Sequence, residues 1–310
     1  MEALLRITLT PVFFYSILRV STPILFAAMG AVMANTAGIP NIALEGIMLI
    51  SAFLGMLVSA VTASATLGLI GALLGGMACA GILAFFTLHY RTNVILGGIA
   101  INSLASGGTV FFLYLFTGDK GTSASVASRT LQRINIPILE SVPVLGDILS
   151  GHNVLTYVAI LSVFAVYILI KHTPMGFHLR AVGEDPNAAE SVGINVTRVK
   201  TKALLISGML AGCGGAFMSM GYVSWFSRDM VAGRGWIAIA AEAMGRTTVI
   251  GTALTSLLFG AADALSNVAG TLGWPSDLVR TIPYCATLTG LIIFAVRTYK
   301  RSKSNNKNFV

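Results

Sequence analysis

The sequence predicts an all-α protein that crosses a membrane many times and forms one domain over residues 1–310. Of its residues 55% are hydrophobic and only 10% are charged, whereas about a quarter of the residues in a soluble globular domain are charged. The mean hydropathy is +0.82, and apolar runs of the roughly 20 residues that a helix needs to cross a bilayer recur along the whole chain. We therefore expect a polytopic helical domain with no soluble domain attached.

These apolar runs predict ten membrane segments. The polar stretch at residues 19–23 (RVSTP) is expected to break the first run into two spans. The segment WIAIAAEAM, residues 236–244, is too short to span comfortably and predicts a half-helix or a short tilted span. The other nine segments cover approximately residues 3–19, 20–35, 43–61, 66–88, 93–116, 154–170, 203–222, 247–268 and 282–296.

The basic residues predict the orientation of the chain. Lys and Arg concentrate in cytoplasmic loops of membrane proteins, and they are frequent in the loop 171–202 and in the tail 297–310. Both are predicted to be cytoplasmic, which makes the loop 117–153 extracytoplasmic and places both termini in the cytoplasm. The net charge of +8 then reflects contact with anionic membrane lipid, and no nucleic-acid partner is expected.

Sequence motifs give no sign of catalysis. The chain lacks the phosphate-binding loop G-x-x-x-x-G-K-[ST], the zinc motif H-E-x-x-H and the nucleophile motif G-x-S-x-G. Its cysteines lie in apolar runs without metal-ligand spacing, and its four histidines lie in or beside predicted loops. No catalytic residue, metal or cofactor is therefore expected in this chain.

The loop 171–202, which we call the polar island, is the most unusual stretch. It holds 8 of the 32 charged residues, and it is much longer than the roughly 4–6 residues of an ordinary connection. Its middle, GEDPNAAESVGI, predicts a turn at Asp185, a short helix over 187–191 capped by Asp185 or Asn187, and a stop at Gly193. Ala188 and Ala189 are expected to face outwards. The island is either a docking element for another protein or a solvated connector.

Four stretches carry a resemblance to a known family. The run RAVGEDPNAAESVGINVTRVKTKALLISGMLAGCGGAF, residues 180–217, resembles the cytoplasmic loop and following helix of ABC-importer permeases of the branched-chain amino acid, ribose and nucleoside group. AGIPNIALEGIMLISAF, residues 37–53, is similar to the N-I-G-x-E-G segment of that family, with Ala43 where glycine is usual. MVAGRGWIAIAA at 230–241 and INIPILESVPVLGDI at 134–148 resemble the nucleoside-uptake branch and its shorter permease.

The resemblance implies a transport subunit that hydrolyses nothing itself. An ATPase subunit would use ATP and Mg²⁺, a second permease would complete a heterodimer, and an extracytoplasmic binding protein would deliver a small-molecule substrate, which the nucleoside branch implies to be a nucleoside. Contact with the ATPase is assigned to Gly183, Glu184, Asp185, Pro186, Asn187, Ala188, Ala189, Glu190, Gly193 and Ile194. The alternatives are a permease for a simple sugar, a branched-chain amino acid or another small metabolite, and, in a different class, an ion-coupled carrier or channel.

Nine residues are candidates for the substrate pathway because they are polar or aromatic and fall within or beside predicted spans. They are Asn41, Glu45, Asn102, Tyr222, Trp225, Arg234, Trp236, Glu242 and Asp263. Each also has a structural interpretation. The aromatic residues could form an interfacial belt instead of a stacking surface, Asn102 could join helices, and Arg234 could anchor a turn instead of standing at the pathway mouth.

The three carboxylates have open alternatives of the same kind. Glu45 either clamps broken helix ends near Asn41 or contacts substrate. Glu242, where the family segment is normally apolar, either pairs with Arg246 one helical turn away or lines the pathway. Asp263 either makes a hydrogen bond between helices or lines the pathway.

Overall fold

The computed structural model describes residues 10–126, 128–137 and 144–272, and ten further positions between 281 and 296. Within this part of the chain, seven helices are long and apolar enough to cross a membrane. The prediction of a helical polytopic protein is therefore confirmed, whereas the predicted number of ten membrane segments is not. Of the predicted tenth span, 282–296, nine of the fifteen positions are described, and the tail 297–310 lies outside the described residues.

The first four helices form the N-terminal half. They are α1 (Pro11–Thr36), α2 (Leu44–Thr62), α3 (Ala65–His89) and α4 (Val94–Thr117). Side chains fix two of the helix starts, because Ser64 accepts a hydrogen bond from the Leu67 amide and Asn93 accepts one from the Ile95 amide. The ends of α2, α3 and α4 agree with the predicted spans to within one residue.

The loop after α4 contains two short strands and one short helix. The strands β1 (Arg133–Ile134) and β2 (His152–Asn153) pair antiparallel, and α5 (Leu145–Leu149) lies between them in sequence. Asn153 then accepts a hydrogen bond from the amide of Leu155 and begins α6 (Val154–His172).

The polar island is more helical than the sequence predicts. It contains α7 (Pro174–Glu184) and α8 (Pro186–Ser191), and its last residues already belong to α9 (Val196–Phe217). The helix α9 begins seven residues before the predicted span because the Asn195 side chain accepts a hydrogen bond from the Arg198 amide at 2.8 Å. A π-helical turn, Met218–Tyr222, follows α9.

The remaining described helices are α10 (Arg234–Met244) and α11 (Val249–Thr271). The helix α10 has 11 residues, so it is about 17 Å long and crosses only about half of a bilayer. The prediction of a half-helix at this place agrees with the observed element.

The predicted break between the first two spans is wrong. Residues 11–36 form one continuous helix with Pro23 inside it. The charge of Arg19 does not end the helix because its Nη2 atom donates to the Tyr222 carbonyl oxygen at 2.8 Å and its guanidinium lies 4.5 Å from the centre of the Tyr222 ring. A contact with a residue distant in sequence therefore satisfies the charge that the sequence alone leaves unexplained.

The two ends of α1 lie at different faces of the molecule. Near its start, Tyr15 donates to the Gly151 carbonyl oxygen at 3.0 Å, in the loop between α4 and α6. At its end, the carbonyl group of Thr36 lies against Gly183 of the island. If the island is cytoplasmic, residue 11 lies at the extracytoplasmic face, so the prediction that both termini are cytoplasmic is not confirmed.

Helix α1 forms the centre of the packing and α4 the periphery. In the most apolar window of each helix, 83% of the residues are buried in α1 and only 17% in α4. Close backbone contact joins the inner helices: a Cβ atom on Gly76 of α3 would collide with the carbonyl oxygen of Gly208 in α9. Small residues permit such contact within a membrane, and the exposed α4 is left available for lipid or for another chain.

Candidate functional site

The chain is irregular between α9 and α10. After the π-helical turn, residues 224–228 bond to the loop that follows α4, where the Arg228 amide donates to the Gly121 carbonyl oxygen at 2.9 Å. Left-handed backbone angles follow at Asp229 (φ 50°), Ala232 (φ 52°) and Gly233 (φ 81°). The half-helix α10 then begins beside the buried Gly235. Irregular backbone at membrane depth occurs where protein or a water-filled cavity surrounds it, so this interruption is the first element of a candidate site.

Glu45 closes the buried start of α10. Its Oε1 atom accepts from the Gly233 amide at 2.8 Å and its Oε2 atom accepts from the Gly235 amide at 2.7 Å. The N-cap residue of α10 is a glycine without a capping side chain, and the carboxylate from α2 takes that role. It also complements the positive end of the helix dipole. Of the two alternatives for Glu45, the geometry favours a clamp between helix ends, although its partner is α10 and not Asn41.

Arg234 and Asp263 form an ion pair between α10 and α11. The Nη2 atom of Arg234 lies 3.0 Å from Oδ2 of Asp263, and the two side chains are only 14% and 15% exposed. Arg234 also donates through Nη1 to the Val231 carbonyl oxygen at 3.1 Å. This pair corresponds to the interhelical interpretation of Asp263 and to the anchored-turn interpretation of Arg234.

Glu242 connects α10 to α1. Its Oε1 atom accepts from Nδ2 of Asn35 at 2.8 Å, and the residue is only 4% exposed. A neighbouring helix therefore supplies a partner for this buried carboxylate, which joins the end of α1 to α10.

The two asparagine candidates hold the irregular segment 37–43 between α1 and α2. Asn41 is 2% exposed and donates to Oγ of Ser207 at 2.9 Å. Asn102 of α4 accepts from the Gly46 amide at 2.8 Å and donates to the Ile42 carbonyl oxygen at 2.9 Å. The side-chain amide groups of Asn41 and Asn102 thus help to position α2.

The aromatic candidates differ in how accessible they are. Tyr222 is partly buried and covered by the guanidinium of Arg19. Trp225 and Trp236 are 41% and 46% exposed, and Trp236 follows Gly235 in the first turn of α10. An exposed indole ring is able to stack on a planar group or on a sugar face.

Sequence reasoning missed the Asp229 carboxylate. It accepts from the Ser106 hydroxyl group at 3.1 Å, and its side chain is 52% exposed. Ser106 lies about halfway along the 24-residue helix α4, on an open surface, because a Cβ atom on Gly107 would meet nothing within 4 Å. The available signal was the cluster of small and polar residues in INSLASGG, within an otherwise apolar span.

The centre of the island has the predicted turn, helix and stop. Oδ1 of Asp185 accepts from the amides of Asn187 at 2.9 Å and Ala188 at 3.1 Å, so Asp185 is the cap of α8. The chain leaves the helix through Gly193, whose φ angle is +87°. One expectation is wrong: Ala188 is exposed, but Ala189 is only 4% exposed and faces inwards.

The other residues assigned to ATPase contact lie around α8. Gly183 packs against the end of α1, because a Cβ atom on it would collide with the Thr36 carbonyl group. Glu184 lines a cavity of about 600 Å³ with Lys171 and Arg180, and Ile194 donates from its amide to the Ala189 carbonyl oxygen at 3.1 Å. Pro186, Asn187 and Glu190 belong to α8 itself.

Comparison with known proteins places this architecture in a family. Residues 13–296 match the family described as "Branched-chain amino acid transport system / permease component". The chain belongs to this permease family. It is therefore an integral protein of the cell membrane and a permease component of an ABC transporter, which is the non-catalytic part of such a system and works with an ATPase partner and another permease.

Curated relatives cover most of the permease. It is 34% identical over 287 residues to the nucleoside ABC transporter permease protein NupC of Lactococcus lactis, covering 88% of this chain and 89% of that one. It is 32% identical over 288 residues to the guanosine ABC transporter permease protein NupQ of Bacillus subtilis, covering 89% and 90%. A putative glucose ABC transporter permease protein of Haloferax volcanii is 28% identical, covering 90% of each chain.

A solved structure shares the fold of this permease. It is described as an inward-facing conformation of a putative metal-chelate type ABC transporter, and it aligns with a TM-score of 0.54 over 97% of this chain and 91% of the other. Because the two chains are only 16% identical, this likeness concerns the fold alone.

Proposed function

We propose that this permease forms part of an ATP-driven importer of nucleosides. The observation that carries the proposal is the identity of 34% and 32%, over nearly the whole chain, to permeases named for nucleoside and guanosine transport. The half-helix α10 and the exposed face of α4 supply one side of the substrate pathway, and a second, different permease chain supplies the other. An extracytoplasmic binding protein delivers the substrate.

The polar island receives the ATPase in this proposal. The partner ATPase uses ATP and Mg²⁺, and this chain binds neither. The exposed face of α8, with Ala188, is small enough to enter a groove, and the cap at Asp185 fixes the orientation of the short helix. Both features support a docking element more than a flexible connector, which would not need a capped helix.

The contacts of the island suggest how force reaches the pathway. Gly183 lies against Thr36 at the end of α1, and the preceding residue, Asn35, is bonded to Glu242 of α10. A movement of the island is therefore transmitted to the half-helix through the end of α1, in addition to the covalent route into α6 and α9. Contiguous contacts of this kind carry coupling only if the element has two arrangements.

The experiment is uptake of radiolabelled guanosine by vesicles that contain the two permeases, the ATPase and the binding protein. We expect uptake with ATP and none with an ATPase variant that cannot hydrolyse it. Ala188→Arg should abolish coupled uptake at normal membrane levels, and the matched control Val192→Arg, at an exposed position just after α8, should have a smaller effect. Guanosine uptake that persists without the ATPase would overturn the proposal.

A sugar is the second candidate substrate. The relative from Haloferax volcanii is named for glucose, and a nucleoside also contains a sugar ring. Competition of unlabelled glucose against labelled guanosine in the same vesicles distinguishes the two, because a glucose permease should be inhibited by glucose at concentrations that leave a nucleoside permease unaffected.

A further inference from the structure

We propose that the carboxylate of Asp229 recognises neighbouring hydroxyl groups on the sugar ring of the substrate, and that Ser106 holds this carboxylate in place. The inference rests on the proposed function and extends it to a residue that sets specificity. Its starting point is an acidic side chain, 52% exposed, that reaches a serine halfway along a membrane-spanning helix.

The Asp229 carboxylate lies between the loop after α4 and the middle of that helix, because the Arg228 amide donates to the Gly121 carbonyl oxygen at 2.9 Å and Ser106 donates to the carboxylate. A charge within a bilayer costs free energy, about 2.5–3.5 kcal/mol at its centre even on the lowest scales, so such groups usually face a water-filled cavity or another protein. The neighbouring surface of α4 also carries polar and small residues, since Ser103 and Ser106 are exposed and Gly107 leaves open space. We assign this part of the surface to the pathway.

The carboxylate retains free capacity to accept hydrogen bonds. Its Oδ1 atom accepts from Ser106 at 3.1 Å, and its Oδ2 atom lies 3.5 Å from Nε of Arg228. The Arg228 side chain is 67% exposed, and exposed ion pairs of this kind contribute little. Since an ionised carboxylate has about four acceptor sites, two hydroxyl groups on adjacent sugar carbons are suitable donors.

The exposed indole of Trp236 belongs to the same segment of chain as Asp229. Consecutive residues of α2 connect the two regions, because Glu45 binds the start of α10 and Gly46 binds Asn102 of α4. Ser106 is four residues after Asn102, on the same side of α4. Asp229 and Trp236 are thus seven residues apart in one segment of chain that α2 and α4 hold, and we assign the carboxylate to the sugar and the indole ring to the base of a nucleoside.

The left-handed backbone at Asp229 (φ 50°) fixes this arrangement further. Aspartate tolerates that conformation better than most residues, and the hydrogen bond from Ser106 joins the loop to α4. The Ser106 hydroxyl is thus a positioning group, whereas the carboxylate itself makes the contact with substrate.

The test compares uptake of guanosine with uptake of 2′,3′-dideoxyguanosine in vesicles that contain the complete transporter. The binding protein is identical in all samples, so a change in the ratio of the two rates reports on the permease. For Asp229→Asn we expect guanosine uptake at low concentration to fall about 10- to 100-fold, the range for a lost hydrogen bond to a charged group, with little change for the dideoxy compound. Asp229→Glu should restore part of the preference.

Control variants separate this contact from a structural role. Asp147→Asn removes an exposed carboxylate in the loop between α4 and α6 and should leave the ratio unchanged. Ser106→Ala should lower the preference for guanosine less than Asp229→Asn does. The amount of each permease that assembles with its ATPase is measured in parallel.

Two outcomes would overturn the inference in different ways. If the wild type imports guanosine and Asp229→Asn lowers both rates equally or neither, the hydroxyl contact is wrong and the proposed function stands. If the wild type imports neither compound, nucleoside import itself is wrong, and the sugar contact falls with it.

Discussion

Replacing Glu45 tests whether this carboxylate is a clamp or a substrate contact. Its two oxygen atoms accept from the amides of Gly233 and Gly235 at 2.8 and 2.7 Å. Glu45→Ala leaves both amides without an acceptor at the buried start of α10. Glu45→Gln keeps one acceptor but turns an NH₂ group towards the other amide, which is also a donor. Both changes should therefore destabilise the permease.

The contacts give the expected size of the effect. A hydrogen bond to a charged group contributes about 1.5–3 kcal/mol, so losing two lowers the free energy of unfolding by about 3–6 kcal/mol in Glu45→Ala. Glu45→Gln should lose roughly half of that. Asn102→Ala, which removes two neutral hydrogen bonds, to Ile42 and Gly46, should cost only about 1–3 kcal/mol.

Thermal unfolding in lipid nanodiscs measures these differences. A thiol-reactive dye reports unfolding because Cys79 is buried and Cys213 is partly buried, and Cys285→Ser removes the exposed thiol. Unfolding temperatures should rank as wild type, Asn102→Ala, Glu45→Gln and Glu45→Ala, from high to low. If Glu45→Gln unfolds at the temperature of the wild type while its affinity for guanosine changes, the clamp interpretation is wrong and Glu45 contacts substrate.

Three further predictions concern other parts of the permease. Ala188→Arg should abolish coupling between ATP hydrolysis and uptake at normal protein levels, whereas Ala189→Arg, at a buried position, should lower the amount of folded protein; equal levels of the two variants would contradict this. Gly260→Val should cost at least about 1–3 kcal/mol in the dye assay, because any Cβ atom there collides with a serine of α1, and Gly107→Ala, with open space around it, should not. Burial holds the pKa of His152, in the loop before α6, below its ordinary value of 6.5; the unfolded chain then takes up the proton first, so the unfolding temperature should fall as the pH drops below about 6.5. His152→Phe should remove that pH dependence, and a wild type equally stable at pH 7.5 and 5 would refute it.

The lengths of most helices could be predicted because local signals determine them. Polar residues bound the apolar runs of α2, α3 and α4, and capping side chains such as Asn93 begin the helices where the sequence indicates. The half-helix α10 was predictable for the same reason, since glycine and arginine bound it on both sides. Where the chain begins or ends a helix for local reasons, the sequence is sufficient.

The continuity of α1 could not be predicted because it depends on a distant contact. Arg19 and Pro23 resemble a break when only their neighbours are considered. The carbonyl group and ring that accommodate Arg19 belong to Tyr222, 203 positions away. No local pattern contains that information, and the predicted span count was wrong at this point as a result.

The residues of the candidate site could be predicted from the sequence, but their bonding partners could not. Glu45, Glu242 and Asp263 are recognisable in the sequence because a carboxylate in an apolar run is costly to bury and is usually paired or functional. Their partners are an amide pair, an amide side chain and a guanidinium group on other helices. Asp229 was not predicted because, next to Arg228, it resembles part of an ordinary charged loop. Its contact with Ser106, in the middle of α4, is visible only in the fold.

The occupied carboxylates also bear on how transport is driven. An ion-coupled carrier needs acidic groups at membrane depth that bind and release an ion. In the described structure Glu45 is held by two backbone amides, Glu242 by an asparagine and Asp263 by an arginine. Releasing any of them to bind an ion would leave a buried donor without its partner, at a cost of about 1–3 kcal/mol or more. These groups are therefore suited to holding α10 in place, and in the proposed importer the energy for its movement enters through the exposed face of the island.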